Sequence, residues 1–264
     1  MTGTLRPHLL VEENLRQAMS FYGHALDTGE VRELAGVVVV RSGTDMAMFN
    51  PALLAGPVSA RPGELDRRIA VPAAHFQAQG VRWSYWVCDD LLDSGLRRQA
   101  AQTFAARGMR RVTMVPGMIA EQLRPPVHPQ PHLVCRRVGD AATRAAFAHI
   151  TSVTFDIPYA ASRRMYESER GWDRALVGWV GYQDHEPVVT AGTVITRDVV
   201  GFYSVGTLPN HRRRGYAEAL MRHAYAQVRE WRTKCVLQST AAGERLYEQM
   251  GFRRVTNFSI YVSQ

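Results

Sequence analysis

The stretch GTLPNHRRRGYAEALMRHAYAQ, from Gly206 to Gln227, constrains this chain more than any other. Upstream of it, VVGFYSVGT (Val199 to Thr207) is rich in β-branched and aromatic residues and reads as a strand. Downstream, Ala217, Leu220, Met221, Ala224, Tyr225 and Val228 recur at helical spacing, with Glu218, Arg222, Gln227 and Arg229 on the other face. The helix is therefore expected to start near Arg214 or Gly215. A helix start presents backbone N–H groups without intrahelical partners at the positive end of the macrodipole, which makes it an anion site. Gly215 leaves room for close approach, and Arg212, Arg213 and Arg214 place three fixed positive charges beside it. The junction suits a pyrophosphate. It also admits a plainer account as a solvated loop, because arginine is the default cation of a chain whose single lysine is Lys234.

Two common phosphate loops are excluded. No G-x-x-x-x-G-K-[ST] run occurs, and no G-x-G-x-x-G follows a strand.

Wider spacing adds to the junction. Pro209-Asn210-His211-Arg212-Arg213-Arg214-Gly215-Tyr216-Ala217 fits R-x-x-G-x-[GA] preceded by proline; CVLQST (Cys235 to Thr240) reads as a strand, and GERLYEQMGF (Gly243 to Phe252) as a short helix ending in Y-x-x-x-G-F. In this order and separation the motifs resemble the acyl-coenzyme A loop and last helix of the GNAT superfamily of N-acetyltransferases. The resemblance covers roughly residues 132 to 264. Within it, HLVCRRV is strand-like, DAATRAAFAHITSVTF and YAASRRMYESERGW are helical, ALVGWVGYQ and PVVTAGTVITRD form a hairpin about Asp184-His185-Glu186, and FRRVTNFSIYVSQ reads as a terminal strand pair. This β-α-α-β-β-β-α-β-α-β order implies an α/β (α+β) fold of GNAT type, a mixed central sheet flanked by helices.

The family implies acetyl-coenzyme A as cosubstrate, no metal, and a small-molecule or peptide amine as acceptor, attacked directly in a ternary complex. Arg212 and Arg214 would then offer side chains to the pyrophosphate or ribose phosphate, and Arg213, Gly215, Tyr216 and Ala217 mainly backbone N–H groups. Val205, Gly206 and Thr207 end the strand that borders the pantetheine arm and supplies the oxyanion donor. Ser239 either bonds that arm or caps the next helix. Tyr247 would protonate the departing thiolate, or is a packing aromatic. For the general base, Asp156, Asp198, Tyr203 and His211 stay open, as does a water chain serving an amine of modest pKa. A non-catalytic acyl-coenzyme A sensor is the alternative from another class.

The chain has 264 residues, enough for one large or two ordinary domains. LRPPVHPQPH (Leu123 to His132), with four prolines, reads as an extended spacer, so residues 1–124, a linker at 125–131 and residues 132–264 form the expected organisation. In the first half, VEENLRQAMSFYGHAL reads as an amphipathic helix, VRELAGVVVVRS and TDMAMFN as a strand pair, VRWSYWVCD as a strand and SGLRRQAAQTFAARG as a helix. FAARGMRRVT (Phe104 to Thr113) lines up with YEQMGFRRVT (Tyr247 to Thr256), suggesting two tandem GNAT-like lobes. The first is degenerate: Phe104 replaces the tyrosine, and RRIAVPAAHFQAQG (Arg67 to Gly80) has no glycine at the turn. Its expected role is to complete the core and wall one side of the acceptor pocket.

The formal charge of +8 suits nucleic acid, an anionic membrane or an anionic small ligand. Without a C2H2 spacing, a long basic tract or interleaved aromatic and basic residues, nucleic acid is not favoured. Cys88, Cys135 and Cys235 are widely spaced and suit buried thiols. No run approaches a membrane span, and MTGTLRPHLLVEEN lacks a signal-peptide core, so a soluble cytoplasmic protein is expected.

Overall fold

The computed structural model describes residues 6–172, 176–197, 199–229 and 233–264. The first half runs α1 (Pro7–His24), β1 (Glu30–Leu34), β2 (Val37–Arg41), β3 (Pro51–Leu54), α2 (Glu64–Ala78), β4 (Ser84–Cys88), α3 (Ser94–Ala105) and β5 (Met109–Ala120). The second runs β6 (Val134–Arg137), α4 (Ala141–Phe155), α5 (Tyr159–Tyr166), β7 (Val177–Gln183), β8 (Glu186–Thr196), β9 (Val199–Thr207), α6 (Tyr216–Ala226), β10 (Lys234–Gln238), α7 (Glu244–Gln249) and β11 (Arg253–Ser263). The mixed sheet flanked by helices is the predicted one.

Three local expectations are corrected. VRELAGVVVVRS is a complete hairpin by itself, because Ala35 and Gly36 (φ 53° and 78°) form a left-handed two-residue turn. TDMAMFN is consequently not a strand: it holds a 3-10 turn at Ala47–Phe49, and Asn50 ties the loop by accepting from Ser42 N and donating to the Thr44 and Arg82 carbonyls. FRRVTNFSIYVSQ is one continuous strand, β11, because its partners come from elsewhere in the chain.

All eleven strands form one sheet in the order β1-β2-β3-β4-β11-β5-β10-β9-β8-β7-β6. The last strand of each half sits in the other half's territory: β5 pairs antiparallel with β10 (Cys235 opposite Ala120), and β11 with β4 (Phe258 opposite Cys88). β5 and β11 pair with each other at the centre. Outward from that centre the pairings repeat: β3 with β4 and β9 with β10 are parallel, while β2 with β3 and β8 with β9 are antiparallel. Each half's ladder is completed by the other's final strand.

Alternation along β9 distributes the helices. Val200 and Phe202 share a core with Met221 and Ala224 of α6 and with Tyr247 and Met250 around α7. Gly201 and Tyr203 meet Asn14 of α1 on the opposite face, where Phe21 of α1 joins an aromatic cluster with Phe147, Tyr166 and Trp172. Helix α1 belongs to the first half by sequence but packs into the core of the second.

Candidate functional site

The site begins where two parallel strands part. β9 pairs with β10 only from Val199–Lys234 to Gly201–Val236; β10 then stays paired with β5, and β9 stays with β8. A β-bulge widens the gap: Tyr203 faces Gly192 and Gly206 faces Thr190, so Ser204 and Val205 are accommodated opposite Ala191 alone. Ser204 takes a left-handed φ of 49°, and Thr190 Oγ1 donates to its carbonyl at 2.9 Å. Val205 therefore stands outside the ladder at the open edge of the cleft, while Gly206 and Thr207 rejoin β8 opposite Thr190 and Val189. Gly206 lies against Thr154 of α4, where a Cβ would approach within 2.8 Å.

Beyond Thr207 the loop makes a 3-10 turn at Pro209–His211 and enters α6. Arg212 Nε donates to the Thr207 carbonyl at 3.1 Å, and the side chains of Arg212, Arg213 and Arg214 are exposed. Arg213 and Gly215 are both left-handed (φ 62° and 81°). Gly215 flanks the helix with no side-chain cap, and the first intrahelical bond runs from Ala219 N to Gly215 O. The N–H groups of Tyr216, Ala217 and Glu218 are thus free of intrahelical acceptors. The one carboxylate of that turn, Glu218, is held by Arg222 at 2.7 Å, and the Tyr216 hydroxyl donates to Gln183. Pro131 of the spacer lies over Gly215, its Cδ 3.2 Å from where a Cβ would stand.

The corresponding turn of the first half corrects one expectation and sharpens another. A glycine does stand there: Gly63 (φ 76°) precedes α2, upstream of the stretch that the sequence comparison singled out. Its chemistry is the reverse of α6. Glu64 and Asp66 occupy the first turn; Glu64 accepts from Arg67 and Arg68, which hold its carboxyl well below the usual range, and Asp66 is bonded to Arg107. Two carboxylates, each tied to arginine, stand in this first turn, against one in α6.

Beside the cleft lies a cavity of about 410 Å³. Ser204, Val205, Gln238, Ser239, Thr240 and Tyr247 line its cleft end. Tyr247 is 8% exposed, makes no side-chain hydrogen bond among the described residues, and has its phenol pushed up to about 12 by burial. Its ring rests on Gly243. Ser239 Oγ donates to Thr240 O at 2.8 Å; the residue flanking α7 is Gly243, which makes no side-chain cap bond, so Ser239 does not cap that helix. The structure thus brings Val205, Ser239 and Tyr247 to one cavity and sets the arginine loop at the end of the bordering strand.

Of the described residues left open as base, Tyr203 alone lines the cavity. Asp156 (φ 52°) ends α4 and is exposed, although its neighbours Phe155 and Ile157 line the cavity. His211 lies 3.6 Å from Glu186, away from the cavity wall. Tyr203 lines the wall but its hydroxyl donates to Asn14 at 2.6 Å. Asp198 lies outside the described residues. Among the described residues no cluster of His, Cys, Asp and Glu is placed to hold a metal ion, and no helix is long and apolar enough to cross a membrane.

The wall also contains residues that no motif marked: Leu15, Met19 and Tyr22 of α1, Trp86 of β4, Thr113 of β5 and Ile260 of β11. Their only sequence signal is ordinary amphipathic patterning. Gln238, where the strands part, has a buried amide nitrogen without a protein acceptor.

Comparison with known proteins agrees with this geometry. Residues 174–254, from just before β7 to the start of β11, match the family described as an acetyltransferase (GNAT) domain. No curated protein matches the chain by sequence. Among solved structures, a GCN5-related N-acetyltransferase from Kribbella flavida superposes with a TM-score of 0.73 at 17% identity, covering 98% of this chain and 96% of that one. A conserved protein of unknown function from Staphylococcus epidermidis gives 0.65 at 10% identity over 90% and 95% of the two chains. A GCN5-related N-acetyltransferase from Sphaerobacter thermophilus gives 0.59 at 16% identity over 87% and 80%. With its parted β9 and β10, its bulge at Ser204 and its glycine-led α6, the chain has the fold of these acetyltransferases, and residues 174–254 carry the match to the GNAT domain family.

Proposed function

We propose that the protein is an N-acetyltransferase that moves an acetyl group from acetyl-coenzyme A to a primary amine by direct attack in a ternary complex. The observation that carries this reading is the continuity of the site: a parted strand pair and a buried phenol without a hydrogen-bond partner among the described residues line one cavity, and the bordering strand runs on into an anion-ready helix start. In this reading the free N–H groups of the α6 turn, including those of Tyr216 and Ala217, receive the pyrophosphate together with the guanidinium groups of Arg212 and Arg214. Arg213 and Gly215 shape the turn through their left-handed backbone. The edge at Val205 to Thr207 guides the pantetheine arm, and a backbone N–H there steadies the oxyanion. Ser239 stands beside that arm, and Tyr247, kept protonated by burial, supplies a proton to the departing sulfur.

A covalent acyl-enzyme is not favoured. Cys235 is fully buried with its thiol pushed far up by burial, Cys88 and Cys135 are pushed up to about 11, and none lines the cavity. The repeated pairings about β11 and β5 support an ancestral duplication with residues 1–124 as a degenerate lobe, 125–131 as linker and 132–264 as the acetyl-transferring lobe. The carboxylates of Glu64 and Asp66 account for the first lobe binding no coenzyme A.

A second reading, a sensor that binds acyl-coenzyme A without turnover, draws support from the absence of any carboxylate among the described residues of the cavity wall. The first experiment is thermal unfolding with and without acetyl-coenzyme A, on the wild type and on Arg212→Ala/Arg214→Ala. Stabilisation that rises with ligand and shrinks in the double variant is expected. No shift at millimolar ligand would refute both readings.

A further inference from the structure

The cavity has two chemically different ends. From the cleft its floor crosses the central strands: Gln238 on β10, Thr113 and Val115 on β5, Ile260 and Val262 on β11, then Ser84 and Trp86 on β4. β10 to β4 is three strand spacings, about 14 Å. The roof comes from Leu15, Met19 and Tyr22 of α1 and from Thr151 and Phe155 of α4. The end remote from Tyr247 therefore exists only because the two halves exchange their last strands and because α1 crosses over them. Among the described residues, this wall contains no Asp, Glu, His, Lys or Arg.

That composition selects on the charge of the amine. An alkyl ammonium with a pKa like that of lysine, about 10.4, is neutral in only about one molecule in 2,500 at pH 7. Its charged form would lose hydration in an apolar space with no described carboxylate to pair with it. An amine whose lone pair is delocalised into an aromatic ring is neutral at pH 7, enters without that cost and is ready to attack. Its ring also matches the wall, where the Trp86 indole offers an aromatic surface at the far end.

We infer that the acceptor is an aromatic amine uncharged at neutral pH, seated over β5 and β11 against Trp86 and Met19. This rests on the acetyltransferase reading above. The amine lone pair attacks the thioester carbonyl carbon, and the added nitrogen releases its proton to water. The C–S bond then breaks, Tyr247 gives its phenolic proton to the sulfur, and solvent reprotonates the phenol. The products are an aryl acetamide and the free thiol.

The test compares two isomers, 4-methylaniline and benzylamine, which have the same atoms and differ in amine basicity. With acetyl-coenzyme A as donor and free thiol as readout, kcat/KM at pH 7 for 4-methylaniline should exceed that for benzylamine by about 100-fold or more, given the scarcity of neutral alkylamine. Between pH 6.5 and about 8.5 the benzylamine rate should climb about tenfold per pH unit while that of 4-methylaniline stays level. Trp86→Ala should raise KM for 4-methylaniline more than it lowers kcat, with the thermal shift by acetyl-coenzyme A retained. Equal or better use of benzylamine at pH 7, an unmoved KM in Trp86→Ala, or a preference for octanoyl- over acetyl-coenzyme A with either amine would overturn the inference. The last result would assign the apolar end to an acyl chain. Loss of the acetyl-coenzyme A thermal shift in the wild type refutes the underlying reading instead; a normal shift without turnover of 4-methylaniline refutes only this one.

Discussion

Asn14→Leu tests how the two halves are joined. Asn14 is fully buried on α1, and its side chain makes three long-range bonds into the second half: Nδ2 to Val194 O (3.1 Å) and Thr196 Oγ1 (2.8 Å), and Oδ1 from the Tyr203 hydroxyl (2.6 Å). Gly201 makes room for it, since a Cβ there would stand 1.7 Å from Asn14 Oδ1. Leucine removes all three bonds. Thr196 is only half-buried and reaches water, but the Val194 carbonyl and the Tyr203 hydroxyl are left buried without this partner. At about 1–3 kcal/mol for each of the two stranded groups, less about 1 kcal/mol returned by leucine burial, the expected loss is about 1–5 kcal/mol. A domain with about 5–15 kcal/mol of stability stays largely folded after such a loss. Urea unfolding followed by tryptophan fluorescence should show a lower midpoint at unchanged m-value. Tyr203→Phe should cost about 1–2 kcal/mol, and the double variant should cost at least about 1 kcal/mol less than the sum, because each single change strands what the other removes. Additivity within about 0.5 kcal/mol, or a loss under about 1 kcal/mol for Asn14→Leu, would refute the hub.

Three further outcomes are expected. Tyr247→Phe should lower kcat by about 100-fold or more while leaving acetyl-coenzyme A stabilisation intact; because burial holds the phenol near 12, the wild type should show no alkaline loss from this group below about pH 10. Glu12, 4% exposed beside Arg16, has its carboxyl raised from 4.5 to about 7, burial outweighing the pairing. A raised folded pKa contributes stability below the unfolded value that is lost as pH rises through the folded one. Stability should therefore fall by up to about 3 kcal/mol between pH 4.5 and 7, and Glu12→Gln should flatten that slope in urea melts taken across the window. Gly215→Ala should cost about 1–2 kcal/mol for the left-handed backbone and crowd Pro131, and isothermal titration should show weaker coenzyme A binding with little change in kcat at saturation.

Much of the second half was legible because its signals are local. VVGFYSVGT is β9 from end to end, and the left-handed turn at Asp184-His185 closes the expected hairpin between β7 and β8. Gly215 at the head of α6 followed from helix periodicity and the need for an unobstructed turn. In the first half, local signals misled where two turns competed: Ala35-Gly36 closed a hairpin early and left TDMAMFN without a ladder. Gly63 escaped notice because Glu64 and Asp66 follow it, where Gly215 was found through the run of arginines before it.

What the sequence determined by itself was most elements of the second half and the anion-ready junction at Arg212 to Ala217, since turns, periodicity and helix ends depend on neighbours a few residues apart. Tertiary structure alone decided which strand lies beside which. That β5 closes the second half's sheet and β11 the first's depends on pairings between residues more than a hundred positions apart, and strand alternation names a face but not a partner. The same long-range choice set Asn14 against Gly201, gave Trp86 and Ile260 to the wall containing Tyr247, and so made the apolar end of the cavity a product of both halves.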